Sequence, residues 1–207
     1  MLRGRVTKTR PTFVAVGLRS GAGAGAVTIN KPTGTLENDL MVAVYSYSGT
    51  GRTWTQPAGW TEVLEYGATA AGIGVAWKIA TASEASTYAF QTSGGGTQIN
   101  GFIVTYRGAA FDVIGSVAVS GTSTSVVISG ITVSENLSIL LSFVSQNTTG
   151  VTFTPASGFS SLASQLGNSP ASQIWSKNIE SGATGNQTFT STSSGSITGV
   201  LFSIKPA

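Results

Sequence analysis

Eight carboxylates and eleven lysines and arginines, with no histidine and no cysteine, set the acid–base and metal-binding repertoire of this 207-residue chain. Histidine is the side chain most often used to move protons near neutral pH, so general acid–base chemistry would fall to the carboxylates. A metal site would have only those carboxylates and backbone oxygens to draw on. Two acidic pairs lie close in sequence, Glu62 with Glu65 and Glu37 with Asp39. A two-carboxylate glycosidase needs its acids facing each other across a cleft. On a regular strand Glu62 and Glu65 stand at odd spacing and point to opposite faces, which reads as solvated strand residues. Glu37 and Asp39 precede an apolar run and read as turn residues leading into a strand, with a Ca²⁺ site completed by carbonyl oxygens as the alternative. The glycine-rich stretches 21–25 and 94–96 lack the following helix and the lysine of a phosphate-cradling loop, and read as hairpin turns or loops. The expectation is a non-enzyme with no catalytic residue, no metal and no cofactor.

Aromatic side chains offer a second kind of chemistry, because Trp and Tyr on a sheet face can stack on sugar rings. Tyr45, Tyr47, Tyr66 and Tyr106 are the candidates for such a ligand or partner face. Ordinary strand preference for Tyr is the alternative.

The elements that must hold these residues follow from composition. Charged residues make up 9% of the chain, against about 25% in an average soluble protein. Glycine supplies 27 positions. Helices draw on Glu, Lys, Leu and Ala, whereas short strands with small-residue turns suit this balance, so the chain reads as all-β. No disulfide can form, so the core alone must hold the fold. No apolar run approaches the roughly 20 residues of a membrane helix, and the apolar stretch after the N-terminal bases is too short for a signal peptide.

The sequence also repeats itself with an offset of about 98 residues. Phe13-Val-Ala-Val-Gly17 recurs as Phe111-Asp-Val-Ile-Gly115, and Val27-Thr-Ile29 as Val126-Val-Ile128. Leu40–Val44 matches Leu137–Leu141, Pro57–Trp60 matches Pro155–Phe159 with one inserted residue, and Trp77-Lys matches Trp175-Ser-Lys177. Trp54 against Phe153, Trp60 against Phe159 and Trp77 against Trp175 keep an aromatic in both copies, as core packing demands. In the first copy eight strand-like segments are expected, at 12–16, 26–30, 40–47, 52–55, 61–66, 74–80, 87–92 and 100–107. The expected fold is two tandem antiparallel β-sandwiches, jelly-roll or immunoglobulin-like, over residues 11–109 and 110–207. One larger shared sandwich is the alternative. With no linker between Arg107 and Asp112, the halves are expected to touch.

Residues 1–10 form a basic arm. Arg3, Arg5, Lys8, Arg10 and Arg19 give residues 1–20 five bases and no acid, on a body that is slightly acidic. Such an arm is solvated, docks on its own body, meets an acidic protein surface or, least in keeping with the rest, binds nucleic acid.

At Asn38-Asp-Leu-Met-Val-Ala-Val44, Thr53-Trp-Thr-Gln-Pro-Ala-Gly-Trp-Thr-Glu62, Val75-Ala-Trp-Lys78, Ala82-Ser-Glu-Ala-Ser86 and Tyr106-Arg-Gly-Ala109 the chain resembles β-rich structural proteins of tailed bacteriophages. These are capsid decoration and tail-associated components, with related bacterial surface proteins. The resemblance covers almost everything after the arm and brings no catalytic residues. It implies a virion protein, most simply a capsid decoration or cement protein, whose partners are the major capsid protein and copies of itself, as trimers at local symmetry axes. Arg3, Arg5, Lys8 and Arg10 are then the expected capsid contacts. An extended arm of ten residues reaches about 33 to 36 Å, enough to cross onto a neighbour. The alternative is a tail-associated or surface-displayed module that binds carbohydrate.

Overall fold

The computed structural model describes residues 7–23, 25–67, 71–94 and 98–207; Arg3 and Arg5, and residues 24, 95 and 96 of the glycine-rich stretches, lie outside them. Every regular element among the described residues is a strand. Among the described residues no helix is long and apolar enough to cross a membrane.

The first half carries β1 (Thr12–Gly23), β2 (Ala26–Asn30), β3 (Leu40–Ser48), β4 (Trp54–Thr55), β5 (Thr61–Tyr66), β6 (Ala71–Ile79), β7 (Thr87–Thr92) and β8 (Ile99–Arg107). All eight expected segments are strands, β2, β5 and β7 with the expected bounds and the other five with shifted ones. They stand in the order β4-β7-β2-β1-β8-β3-β6-β5. β1 belongs to two neighbourhoods: Thr12 to Leu18 pair with β8, and Arg19 to Gly23 pair with β2, with a register irregularity at Arg19/Gly21. A bulge bends a strand and raises its local twist. β1 can thus pass from one sheet to another, and the strands on either side of it face each other. Val27 and Ile29 of β2 and Tyr88 and Phe90 of β7 share a core with Met41, Ala43 and Tyr45 of β3 and Ile103 of β8.

The second half carries β9 (Ala109–Ile114), β10 (Ala118–Ile128), β11 (Thr132–Val133), β12 (Ser138–Gln146), β13 (Phe153–Thr154), β14 (Ser160–Gln165), β15 (Ala171–Ile179), β16 (Gly182–Ala183) and β17 (Gln187–Pro206). β10-β17-β12-β15-β14 run side by side, β9 and β13 also pair with β17, and β11 pairs with β16. β17 begins against β13 and the end of β10, and finishes against β12 and β9. Its core gathers Val126, Ile128, Phe153 and Phe189 on one side and Leu140, Val144, Trp175 and Leu201 on the other.

A third core lies between the halves. Leu40, Val42, Val44, Ile73, Val75, Phe102 and Val104 from the first meet Ile139, Leu141, Phe143, Ile174, Val200, Phe202 and Ile204 from the second. β3 therefore sends alternate residues to opposite cores, as a period of two dictates for a strand covered on both faces. The result is four layers, with the two wide sheets, one from each half, back to back in the middle. The halves do touch, through apolar burial worth about 1.5–3 kcal/mol for each large side chain.

A buried polar seam runs along one end of that interface. The Ser46 and Ser172 hydroxyls are 2.7 Å apart, and Ser172 donates to Ser145 at 3.2 Å. Asn100 Nδ2 donates to the Pro170 and Gln165 carbonyls at 2.7 and 3.1 Å, and Thr198 Oγ1 to the Ala71 carbonyl at 2.6 Å. Buried hydroxyls and amides demand partners in fixed places, so the seam sets the register in which the two sheets meet.

Local geometry recurs between the halves at a spacing of 99 residues. Gly51 and Gly150 (150 − 51 = 99) have φ of 68° and 69°, and Gly59 and Gly158 have 84° and 85°. Asn38 and Leu137, the non-glycine residues with positive φ among the described residues, stand at the same spacing. Trp60 N donates to the Pro57 carbonyl and Phe159 N to that of Ala156, so Pro57 corresponds to Ala156 and no residue is inserted. The expected match of Trp77 with Trp175 gives way for the same reason. At this spacing Trp175 answers to Ala76, inside its own sandwich, and Trp77 to Ser176. Successive strand residues face opposite ways, and Trp77 stacks on Phe111 at the central interface, 6.0 Å between centroids and 8° between planes.

Candidate functional site

A β-bulge brings two carboxylates and a tyrosine hydroxyl together. β5 slips against β6 between Glu62 and Leu64, so Glu62 stands opposite Ala76 and Glu65 opposite Gly74. Ala76 and Gly74 are two residues apart and share a face, which puts both carboxylates on that face. The regular-strand expectation of opposite faces fails because the bulge consumes Val63. Glu65 Oε1 accepts the Trp54 amide at 3.1 Å. Gln56 Nε2 donates to the Tyr45 hydroxyl at 2.9 Å and to Glu62 Oε2. Burial and the Glu65 charge push the Glu62 carboxyl up, against the Gln56 bond. β4 and β5 are the two ends of the strand order, so the cluster ties the outer edges of the first sandwich together. A carboxyl pushed up by burial and by a neighbouring carboxylate is the raw material of acid–base chemistry. Here Glu62 is bonded inward to Gln56 and one Glu65 oxygen to the Trp54 amide.

A second cluster centres on Glu84. Its carboxylate accepts Lys78 Nζ at 2.7 Å, Thr81 N at 2.6 Å, Thr81 Oγ1 at 3.0 Å and the Tyr88 hydroxyl. Burial pushes the carboxyl up, but those bonds outweigh it and hold it at about 2. Lys78 also lies 5.6 Å from the centroid of the Tyr88 ring. Lys78 and Glu84 sit inside the sequence blocks Val75–Lys78 and Ala82–Ser86. Their pairing left no sequence signal beyond opposite charges six residues apart.

The remaining expectations sort as follows. Asp39 is buried and accepts Leu36 N at 2.8 Å and the Arg107 fork at 2.9 Å through both Nε and Nη2, so it closes the turn as expected; Glu37 is exposed. Among the described residues no group of three or more carboxylates is placed to hold a metal ion. Tyr45 and Tyr47 are 0% exposed and Tyr106 1%, and Tyr66 is half-buried. A ligand face on Tyr45, Tyr47 and Tyr106 is thereby corrected: their rings fill cores, stacked on Phe90 at 4.8 Å in the case of Tyr45.

The described part of the arm docks on the second half of its own chain. Lys8 Nζ meets Glu135 Oε2 at 2.6 Å, and Arg10 Nη2 meets Glu180 Oε1 at 2.6 Å. Arg10 Nη1 also donates to the carbonyls of Ser138 and of Ile179, the latter at 3.2 Å. The Lys8 bond lowers the Glu135 carboxyl, and the Leu137 amide, ahead of Arg10, lowers that of Glu180. Of the four arm residues expected to contact a capsid, Lys8 and Arg10 are engaged within the chain.

Compared with models of known protein families, with curated proteins and with solved structures, the chain matches none.

Proposed function

We propose that this protein is a structural component of a virus particle, a decoration or cement protein on the capsid of a tailed bacteriophage, and that its two halves are duplicated copies of one sandwich. The observation that carries this reading is the shared central core: wide sheets back to back, fastened at one end by the seam, make one stiff block rather than two hinged modules. Stiffness suits a part that clamps neighbours. The low charge of the chain limits repulsion between closely packed copies. The resemblance at residues 38–44, 53–62, 75–78, 82–86 and 106–109 points the same way. A protein that binds only the assembled shell stabilises it by mass action.

With Lys8 pinned to Glu135 and Arg10 to Glu180, the root of the arm is fixed on the body, and Arg3 and Arg5, which lie outside the described residues, are the bases proposed to reach a neighbouring capsid protein. The Glu62–Glu65 cluster fits this reading as an edge closure.

Co-sedimentation with capsids lacking the protein tests it, using wild type, R3A/R5A and K8A/R10A. Saturable binding by wild type, abolished in R3A/R5A with an unchanged circular dichroism spectrum, is expected; K8A/R10A binds more weakly because its arm is no longer anchored. Full binding by R3A/R5A would remove the arm from the mechanism. Absence of binding by wild type would end the decoration reading in favour of a tail-attached or surface-displayed recognition module.

A further inference from the structure

The outer sheets of the two halves differ by one strand. In the first half, residues 19–23 of β1 form a hairpin with β2, and β7 pairs with β2 on its other side. The outer sheet there is β1-β2-β7-β4, and both edges of β2 are covered. Ninety-nine residues on, a stretch of the same length does not turn back. β10 continues along β17 from Ala118 to Ile128, pairing first with Gly199 to Ile197 and finally with Thr190 to Gln187. The outer sheet of the second half is therefore β10-β17-β13, and among the described residues no strand pairs with the far edge of β10. The cause lies at the turn. Gly25, with a φ of 82°, makes the hairpin in the first half; its counterpart is Thr124, a β-branched residue that such a backbone angle disfavours.

The edge left bare in this way is unguarded. Edge strands are ordinarily protected by charge, proline, shortness or bulges. Of the other strands that end a sheet order, β4 has two residues, and β5 and β14 have six each, with a register irregularity. β10 has eleven, and its own irregularities end at Ser125. No charged residue and no proline stands between Asp112 and Glu135. Val126 and Ile128 point into the core, so Val127 points out of the sheet, 54% exposed where the first half has Thr28. Losing the covering strand and gaining an exposed valine at the same place is the reverse of edge protection.

We propose that residues 125–128 join two copies of this chain, edge to edge and antiparallel about a two-fold axis, each β10 taking the place that residues 19–23 fill beside β2. A two-fold contact needs a surface that complements itself, and an uncharged strand does so through its backbone ladder. The axis that sets Val127 against its own copy also sets Val126 against Ile128 of the second copy. Both pairs keep apolar against apolar on one face, and two three-stranded outer sheets become one of six strands. An extended peptide from another protein would form such a ladder only at a further cost in ordering entropy, which a strand already fixed in a sheet does not meet. A ladder this short buries little area, so the dimer is weak, with a dissociation constant on the order of 100 μM. The pairing needs no capsid, so its failure and that of the decoration reading are distinguishable.

The test is sedimentation velocity of the isolated full chain, as wild type and V127K, together with oxidative cross-linking of V127C and T28C, each of which carries a single thiol in a chain that has none. Wild type is expected to pass from monomer to dimer as its concentration rises to about 1 mM. V127K, with an unchanged circular dichroism spectrum, dimerises at least about tenfold more weakly, because two ammonium groups then meet across the axis. V127C yields a disulfide-linked dimer and T28C, on the covered strand, does not. A wild type that stays monomeric, or that assembles as a trimer, would overturn the proposal. So would a V127K dimer of undiminished strength, or equal cross-linking of the two cysteine variants.

Discussion

The two sandwiches fill the same space with volume placed on different strands. In the first, Tyr45 and Tyr47 of β3 stand opposite Gly74 and Gly72 of β6, and a Cβ on either glycine would come within 2.0 or 2.3 Å of the tyrosine ring. In the second, the corresponding pairs are Val144 with Gln173 and Gln146 with Ala171. The missing ring volume reappears one strand over, as Trp175 where the first half has Ala76. Tight interiors constrain total volume between layers more strictly than the residue at any one position. This is why Tyr45 and Tyr47 have no aromatic counterpart: they are half of a volume exchange rather than an exposed recognition surface.

The sharpest contrast is between Lys78, paired to Glu84, and Lys177, which forms no ion pair among the described residues and donates to the Ser157 carbonyl. Glu84→Gln leaves a buried ammonium without its counter-charge and should cost about 3 kcal/mol, measured by urea unfolding. Lys177→Gln should leave stability nearly unchanged; similar losses in both would erase the distinction. Because the Glu84 carboxyl sits at about 2 rather than its ordinary 4.5, its contribution is complete above pH 4.5 and is lost as pH falls from there toward 2. The acid limb of the wild-type stability curve should therefore be steeper than that of the Glu84→Gln variant.

The volume exchange predicts the next effect. Gly74→Ala should destabilise by about 2 kcal/mol through overpacking against Tyr45. In the Gly74→Ala/Tyr45→Val double variant, the alanine should cost far less than it does beside tyrosine. An unchanged cost in the valine background would show that the Tyr45 ring is not what the glycine accommodates.

Smallest is the carboxylate pair, for which the second half has Ser161 and Ser164. A raised carboxyl means that its ionised form is less favourable in the folded chain than in the unfolded one, so stability falls as pH rises through its titration. Glu62→Gln should raise the melting temperature slightly at pH 7 and leave it unchanged at pH 3. A drop at pH 7 would mean that the bond from Gln56 matters more than the repulsion from Glu65.

Much of the fold was legible because strands announce themselves by apolar alternation and by the small residues between them; β2, β5 and β7 have the expected bounds. The aromatic pairs Trp54/Phe153 and Trp60/Phe159 are buried, as packing required. The site was much less legible. A bulge leaves no mark on the residue pattern, so Glu62 and Glu65 were assigned to opposite faces. The salt bridge of Lys78 depends on how a loop folds back to place Glu84.

The sequence by itself determined that this chain is all strands, that it carries no histidine or thiol, and that its bases gather at the N-terminus, since composition and periodicity act locally. Tertiary structure alone decided that two wide sheets pack back to back, that Tyr45, Tyr47 and Tyr106 turn inward, and that Lys8 and Arg10 fold onto Glu135 and Glu180. Those outcomes depend on which surfaces meet, and the free energy of meeting belongs to pairs of surfaces distant in sequence, as in Tyr45 with Phe90, Phe102 with Phe143 and Lys8 with Glu135.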